Sequence, residues 1–344
     1  MSADDWKYCR EVLPRVSRTF ALNIRLLSGS MADAVCVAYL LCRICDALED
    51  SWRGTPAELR GRFELLRLAV HGSDDAARHL ARAAAGVEGA REDLRLVAQC
   101  ERVLRCLREL EPSDRASIEE CLDAMSAGMG RFAERAALAT TGAPYLETEA
   151  ELHEYCWAVA GCVGVMLTRM FNARASDAAT GRAAARLASA AAVGEALQLT
   201  NIILDWPSDA SHGRCFVPAQ WLREAGLSPA ELVGAPRPGQ RVLLDRLETL
   251  ARSALAQVPV YLEAVPLGAV RFRLFCLWPS LWAEASLRHA RLDADFPWGA
   301  KRPRLPRRRL WSLALGSLLT AHHPVLLRWV SRDLAAGAPR SASR

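Results

Sequence analysis

Five oxygen-bearing side chains stand out by type and spacing. Asp46 and Asp50 lie four residues apart at the end of Ala34–Leu48, a stretch that is apolar almost all round. A helix C-terminus carries partial negative charge, so paired carboxylates at the end of a buried helix call for a neutralising cation. The bland alternative is a solvated helix end running into a turn. A second stripe weighs against it. Asn201, Asp205 and Asp209 follow the apolar stretch Val193–Ile203 at i, i+4 and i+8, which places all three on one helix face. Two acidic stripes on two apolar helices read as facing walls of a metal-filled cavity. Hard oxygen ligands suit Mg²⁺, which proteins commonly hold through one or two carboxylates together with substrate phosphates. Arg18 after Ser17, Arg43 one turn before Asp46, and Arg214 beyond the second stripe supply guanidinium groups for phosphate oxygens. The chemistry indicated is that of a diphosphate in an otherwise apolar pocket.

The elements that carry these groups are helical. Leu59, Phe63, Leu66 and Val70 recur at helical spacing, as do Val97, Cys100, Leu104 and Leu107, and no segment alternates like a strand. Thr55-Pro56-Ala57-Glu58 and Ser228-Pro229-Ala230-Glu231 each give an N-cap, a proline at N1 and a glutamate at N3. Breakers at 51–55, 71–75, 141–144, 210–218, 234–239 and 297–306 are all short, which predicts one all-α domain over residues 1–344. With 51% hydrophobic and 24% charged residues, the composition excludes disordered, collagen-like and disulfide-scaffold proteins. The formal net charge of +5 is too mild to demand nucleic acid but favours an anionic ligand or membrane surface. Eleven cysteines, mostly in apolar helical text, and a start without secretory character predict a reduced, cytoplasmic protein. Leu310–Leu327 is the longest uncharged run, a little short of the ~20 residues of a spanning helix. It reads as a final core helix or, with the basic run Lys301, Arg302, Arg304, Arg307, Arg308 and Arg309 before it, as a peripheral membrane contact.

Several motifs occur together and in order. They are Ser17-Arg18-Thr19-Phe20; Tyr39-x3-Arg43-x2-Asp46-x2-Glu49-Asp50; Tyr155-Cys156-x2-Val159-Ala160-Gly161-x2-Gly164; and Gly194-x3-Gln198-x2-Asn201-Ile202-x2-Asp205-x3-Asp209-x4-Arg214-x-Phe216-x-Pro218. Over about residues 9–290 the chain resembles the squalene/phytoene synthase family. The Arg273-Leu274-Phe275-Cys276-Leu277-Trp278-Pro279 stretch and the Ser17 motif are most similar to its squalene synthases. The resemblance implies an all-α class I isoprenoid synthase fold with a central cavity between facing helices, and head-to-head joining of two farnesyl diphosphates. By this resemblance Asp46, Asp50, Asn201, Asp205 and Asp209 hold Mg²⁺. Ser17, Arg18, Arg43, Gln198 and Arg214 contact diphosphate, and Tyr39 and Tyr155 handle protons and carbocations. Phe20 and Phe275 are candidates for the π-rich wall a carbocation needs. NADPH would reduce the presqualene diphosphate intermediate, with Lys301, Arg304, Arg307 and Arg308 available for its phosphates. Products that stop short or differ (presqualene diphosphate, hydroxysqualene, dehydrosqualene, phytoene), a class I terpene cyclase and a non-catalytic helical adaptor are the competing readings.

The second acidic motif departs from the family's usual Arg-Asp-x-x-Glu-Asp. Leu204 removes a cationic phosphate partner, Ser208 removes a carboxylate, and Pro207 predicts a kink or stop in the helix. Cys42-Arg43-Ile44-Cys45 lacks a second pair at zinc spacing and reads as buried thiols. Ser126-Ala127-Gly128-Met129-Gly130 has no strand before it, so close helix packing is expected there rather than a dinucleotide fingerprint.

Overall fold

The computed structural model describes residues 3–52, 54–87, 91–138, 143–177, 181–299 and 301–320. Among these the chain is helical, and the only β feature is an isolated bridge between Pro144 and Cys215. The chain divides into two compact units, residues 1–138 with 166–178, and residues 139–165 with 179–344.

The first unit contains α1 (Ala3–Val16), α2 (Arg18–Ile24), α3 (Gly29–Asp50), α4 (Pro56–Val70), α5 (Asp74–Ala85), α6 (Glu92–Val97), α7 (Cys100–Arg108) and α8 (Pro112–Leu138). Its axis is α3, flanked by α1, α4, α6, α7 and α8. Val37, Leu40, Leu41, Ile44, Cys45 and Leu48 have no exposed surface, and burial of each such side chain contributes about 1.5–3 kcal/mol for the larger ones. That packing fixes the helix end that presents Asp46 and Asp50. The capping box expected at Thr55 is formed: Thr55 N–H donates to Glu58 Oε2 at 2.7 Å, and Glu58 N–H donates to Thr55 Oγ1 at 3.3 Å. Close packing at Gly130 is also seen, since a Cβ there would meet Phe63 of α4 at 3.3 Å. Buried Asp5 ties α1 to α7 through Arg102 Nε at 2.8 Å and Arg105 Nε at 2.7 Å.

The second unit contains α9 (Glu149–Cys156), a π-helical turn (Trp157–Gly161), the start of α10 (Cys162–Asn172), α11 (Gly181–Ser211), α12 (Ala219–Ala225), a 3₁₀ turn (Pro229–Leu232), α13 (Pro238–Leu255), α14 (Gln257–Ala264), α15 (Val270–Leu292) and α16 (Arg307–Thr320). Here α11 is the axis, wrapped by α13, α14, α15 and the π turn. It is long and apolar enough to cross a membrane by length and composition, and half of its apolar stretch is buried against its helical neighbours. Backbone meets backbone along its flank: a Cβ at Gly194 would lie 2.1 Å from Ala160 O, and one at Gly164 2.2 Å from Ala190 O. Only glycine permits these approaches, which explains two glycines of the motifs, Gly164 and Gly194, without invoking chemistry. Arg273 donates from Nη1 to Leu262 O at 2.8 Å, and Arg186 donates from Nη1 to Ala264 O at 2.8 Å. Both arginines satisfy carbonyls at the end of α14, so Arg273 has a capping role.

Two expectations are narrowed: of the kink or stop expected at Pro207 the stop does not occur, and the Ser228 cap does not open a long helix. Pro207 neither ends nor interrupts α11, which runs through it to Ser211. Burial of Leu204, Trp206 and Asp209 and the bond from Trp206 Nε1 to Leu232 O at 2.9 Å hold the turn in place and offset the backbone hydrogen bond that proline cannot donate. The Ser228 cap starts a single 3₁₀ turn rather than a longer helix, because the chain turns away at Gly234 with φ of 100°. Residues 321–327 of the Leu310–Leu327 run lie outside the described residues.

Candidate active site

The first acidic stripe ends α3. Asp50 is exposed, whereas Asp46 keeps 30% of its side-chain surface open on one side and is crowded by protein on the others. Arg43 grips Asp93 of α6 as a fork, Nε to Oδ1 at 3.2 Å and Nη2 to Oδ2 at 2.8 Å, and its Nη1 lies 3.6 Å from Asp46. Burial raises the Asp46 pKa from 3.8 to about 7; Arg43 opposes this, while Asp50 and Asp93 reinforce it. The site therefore has more negative charge than Arg43 alone offsets, which is the condition a divalent cation relieves.

The folded pKa of Asp46 lies above the unfolded value, so the folded state holds this proton more tightly. The contribution is full below about pH 4 and is lost as pH rises through about 7. In chelator-treated protein, Asp46→Asn should stay closer to its acid-side Tm than the wild type as pH is raised across that window. Parallel Tm profiles for the two proteins would contradict it.

Beside this stripe, Tyr39 shares a hydrogen bond with Ser17 and stacks near Phe20, with ring centroids 5.2 Å apart. Burial pushes the phenol up to about 12, so it stays protonated at neutral pH. Ser17 caps α2, accepting from Phe20 N–H at 3.3 Å, and Arg18 is exposed on the first residue of that helix. The first unit thus sets Ser17 and Phe20, at the start of α2, against Tyr39 of α3, one helical turn before Arg43 and two before Asp46.

The second stripe lies on α11, with Asn201 exposed, Asp205 and Gln198 half-buried and Asp209 buried. Each aspartate meets an arginine from outside its helix. Arg214 Nη2 reaches Asp209 Oδ1 at 2.7 Å, and Arg302 Nη1 contacts Asp205 Oδ1 at 2.7 Å and Oδ2 at 3.0 Å. Tyr155 is buried and stacks on Phe216 at 5.2 Å, and Tyr145 lies on Phe216 at 4.7 Å. The Tyr145 N–H donates to Cys215 O at 2.8 Å, which fixes this aromatic row beside Arg214. Phe275 lies away from solvent on α15, stacked with Phe272. Lys301, Arg304, Arg307 and Arg308 are all exposed.

Three contributors escaped the sequence. Asp93 has the signature of an ordinary first-turn helix acid. Tyr145 sits in a loop without periodicity. Arg302 was one cation among six in the basic run. Among the described residues no three His, Cys, Asp or Glu side chains are gathered into a ready-made metal cage. The donor set nevertheless fits Mg²⁺, because it is all oxygen and carries charge that arginines now offset, and Mg²⁺ takes much of its shell from water and phosphate.

The described residues have the all-α fold of solved squalene and dehydrosqualene synthases. The solved structures the chain resembles include TcSQS in a ligand complex (TM-score 0.69, 22% identity, 97% of this chain and 98% of that one). A dehydrosqualene synthase in complex with ligand gives a TM-score of 0.61 at 21% identity, over 92% of this chain and 97% of that one. The squalene synthase HpnC from Alicyclobacillus acidocaldarius gives 0.56 at 18% identity, over 84% and 94%. The squalene/phytoene synthase family model matches residues 13–309, and the chain belongs to that family. Squalene synthase 1 of Arabidopsis thaliana is 33% identical over 205 residues, and the squalene synthase of Ganoderma lucidum is 32% identical over 223. These matches take in 59% and 63% of this chain but only 45% and 44% of those relatives.

Proposed function

We propose that the protein joins two farnesyl diphosphates head to head through presqualene diphosphate and reduces the product to squalene with NADPH. The observation that carries this reading is the pairing of each acidic stripe with arginines, on the motif positions of a squalene/phytoene synthase family member. Asp46 and Asp50, and Asn201, Asp205 and Asp209, would hold Mg²⁺, which supplies Lewis-acid neutralisation of a departing diphosphate. Arg43 and Arg214 share that task, with Arg43 held in aim by Asp93. The phenols of Tyr39 and Tyr155, beside Phe20 and Phe216, offer π faces and positioned protons where positive charge develops on carbon. Lys301, Arg304, Arg307 and Arg308 are exposed cations suited to the phosphates of NADPH, which supplies a hydride. Purified protein should consume farnesyl diphosphate with Mg²⁺ and leave geranylgeranyl diphosphate unchanged. Consumption of the C20 substrate alone would overturn the chain-length assignment.

Leu204 and Ser208 favour a second reading, in which the reaction stops at presqualene diphosphate or ends in hydroxysqualene or dehydrosqualene, because both changes weaken the charge at one ionisation site.

A hydrocarbon product also needs somewhere to go. On α16, Ala314 and Ser317 are buried, while Trp311, Leu315 and Leu318 recur at i, i+4 and i+7 and are 52%, 61% and 42% exposed. Arg307, Arg308 and Arg309 occupy the positive N-terminal turn of the same helix, a placement that an anionic partner would relieve. The enzyme is then cytoplasmic and peripheral to membranes, with α16 on an anionic bilayer. Trp311→Ser with Leu315→Ser should lower co-sedimentation with anionic vesicles several-fold while leaving it weak on neutral ones. Equal binding by variant and wild type would count against this contact.

A further inference from the structure

The acidic stripe of α11 carries no basic residue of its own at position 204, and both its aspartates borrow cations from elsewhere in the chain. For Asp209 the source is Arg214, five residues on and fixed by its own backbone: Arg214 N–H donates to Asp209 O at 2.8 Å. For Asp205 the source is Arg302, 97 residues away. Residues 302–306 form a strap without regular secondary structure between a turn at 295–299 and α16. The elements on either side of the strap are fastened. On one side Gly234 N–H donates to Trp298 O at 2.8 Å and the Arg241 guanidinium lies 5.1 Å over the Trp298 ring. On the other, Trp278 Nε1 donates to Ser317 Oγ of α16 at 2.8 Å. Between these anchors, one guanidinium nitrogen spans both oxygens of Asp205. That carboxylate cannot present the same oxygens fully to a metal ion and to Arg302.

We propose that Arg302 is a displaceable counter-cation, a latch that neutralises Asp205 in the empty enzyme and is released when Mg²⁺ and a diphosphate load, freeing the 302–306 strap. The proposal rests on the function proposed above and adds a coupling to it: loading of the α11 stripe changes the state of the segment that leads into α16. Arg302 acts through Asp205 and is a positioning residue. The contact is modest in strength, because Arg302 is 39% and Asp205 29% exposed. An ion pair this open to water alters an equilibrium by about fivefold at most.

The test is calorimetry of Mg²⁺ with inorganic pyrophosphate on the full chain, for wild type, Arg302→Gln, Arg302→Lys and, as a control, Arg309→Gln. Arg302→Gln should bind more tightly than wild type, by up to about fivefold. Arg302→Lys should lie near wild type and Arg309→Gln should be unchanged. Limited trypsinolysis after Lys301 and Arg304 gives a second readout. Cleavage should accelerate when wild type is loaded, and should already be fast in unloaded Arg302→Gln. Weaker binding by Arg302→Gln would make Arg302 a phosphate ligand and overturn the latch, as would unchanged binding or slower cleavage on loading. Absence of any Mg²⁺–pyrophosphate binding by wild type would instead remove the proposed function, and the latch with it.

Discussion

Asp46→Asn and Asp205→Asn are each expected to lower kcat with farnesyl diphosphate on the order of 10²–10³-fold, the scale on which a lost electrostatic stabiliser of transition-state charge acts. Each change keeps shape and removes one anionic oxygen donor. The two variants should part company in their effects on the fold. Asp46 sits in crowded surroundings that hold its pKa near 7, so its amide relieves a buried charge, and the metal-free variant should be at least as stable as wild type at pH 8. Asp205 loses an exposed pair with Arg302, which changes stability little. Loss of activity with an intact melting transition assigns these groups to the chemistry. Asp33→Asn on α3 removes an exposed pair with Arg10 of α1 and should leave kcat within about twofold. Wild-type turnover by either site variant, at any Mg²⁺ concentration, would contradict the metal-binding assignment. Steady-state kinetics over a Mg²⁺ titration, read beside circular-dichroism melts, decides it.

The largest structural effect is expected at the glycines that seat α11. Gly164→Ala would place a Cβ 2.2 Å from Ala190 O, and Gly194→Ala one 2.1 Å from Ala160 O. Both obstacles are backbone, so the helices themselves must separate. Overpacking of this kind costs about 3 kcal/mol, enough to unfold a marginal protein. Gly61→Ala is the matched control. Gly61 lies inside α4 with open space around its Cα, and alanine there should stabilise by about 0.5–1 kcal/mol. Urea denaturation of the three variants should order them Gly61→Ala above wild type, with Gly164→Ala and Gly194→Ala far below. A Gly194→Ala protein as stable as wild type would show that α11 can shift away from the π turn without loss.

Helix content and both acidic stripes were legible in the sequence because each is written within one helix. A period of 3.6 residues, or an i, i+4 spacing, needs no knowledge of the rest of the chain. The capping box at Thr55 is legible for the same reason. What stayed hidden is what folding brings from a distance. Asp93 reaches Arg43 across 50 residues, Arg302 reaches Asp205 across 97, and Tyr145 joins Phe216 through a loop. Pro207 shows the opposite limit: the local rule allows a kink or a stop, and with buried neighbours around it the helix does not stop there. The glycines of the motifs were visible as motif members, yet their reason, backbone packed on backbone, belongs to the fold alone.

Product analysis distinguishes the head-to-head condensation from its reductive half. Purified protein would be incubated with Mg²⁺ and farnesyl diphosphate, with and without NADPH, and the organic extract separated and weighed by mass spectrometry. Squalene that appears only when NADPH is present is the predicted result. Presqualene diphosphate or hydroxysqualene in both reactions would contradict the reductive half, and the absence of any C30 product would contradict the head-to-head condensation itself.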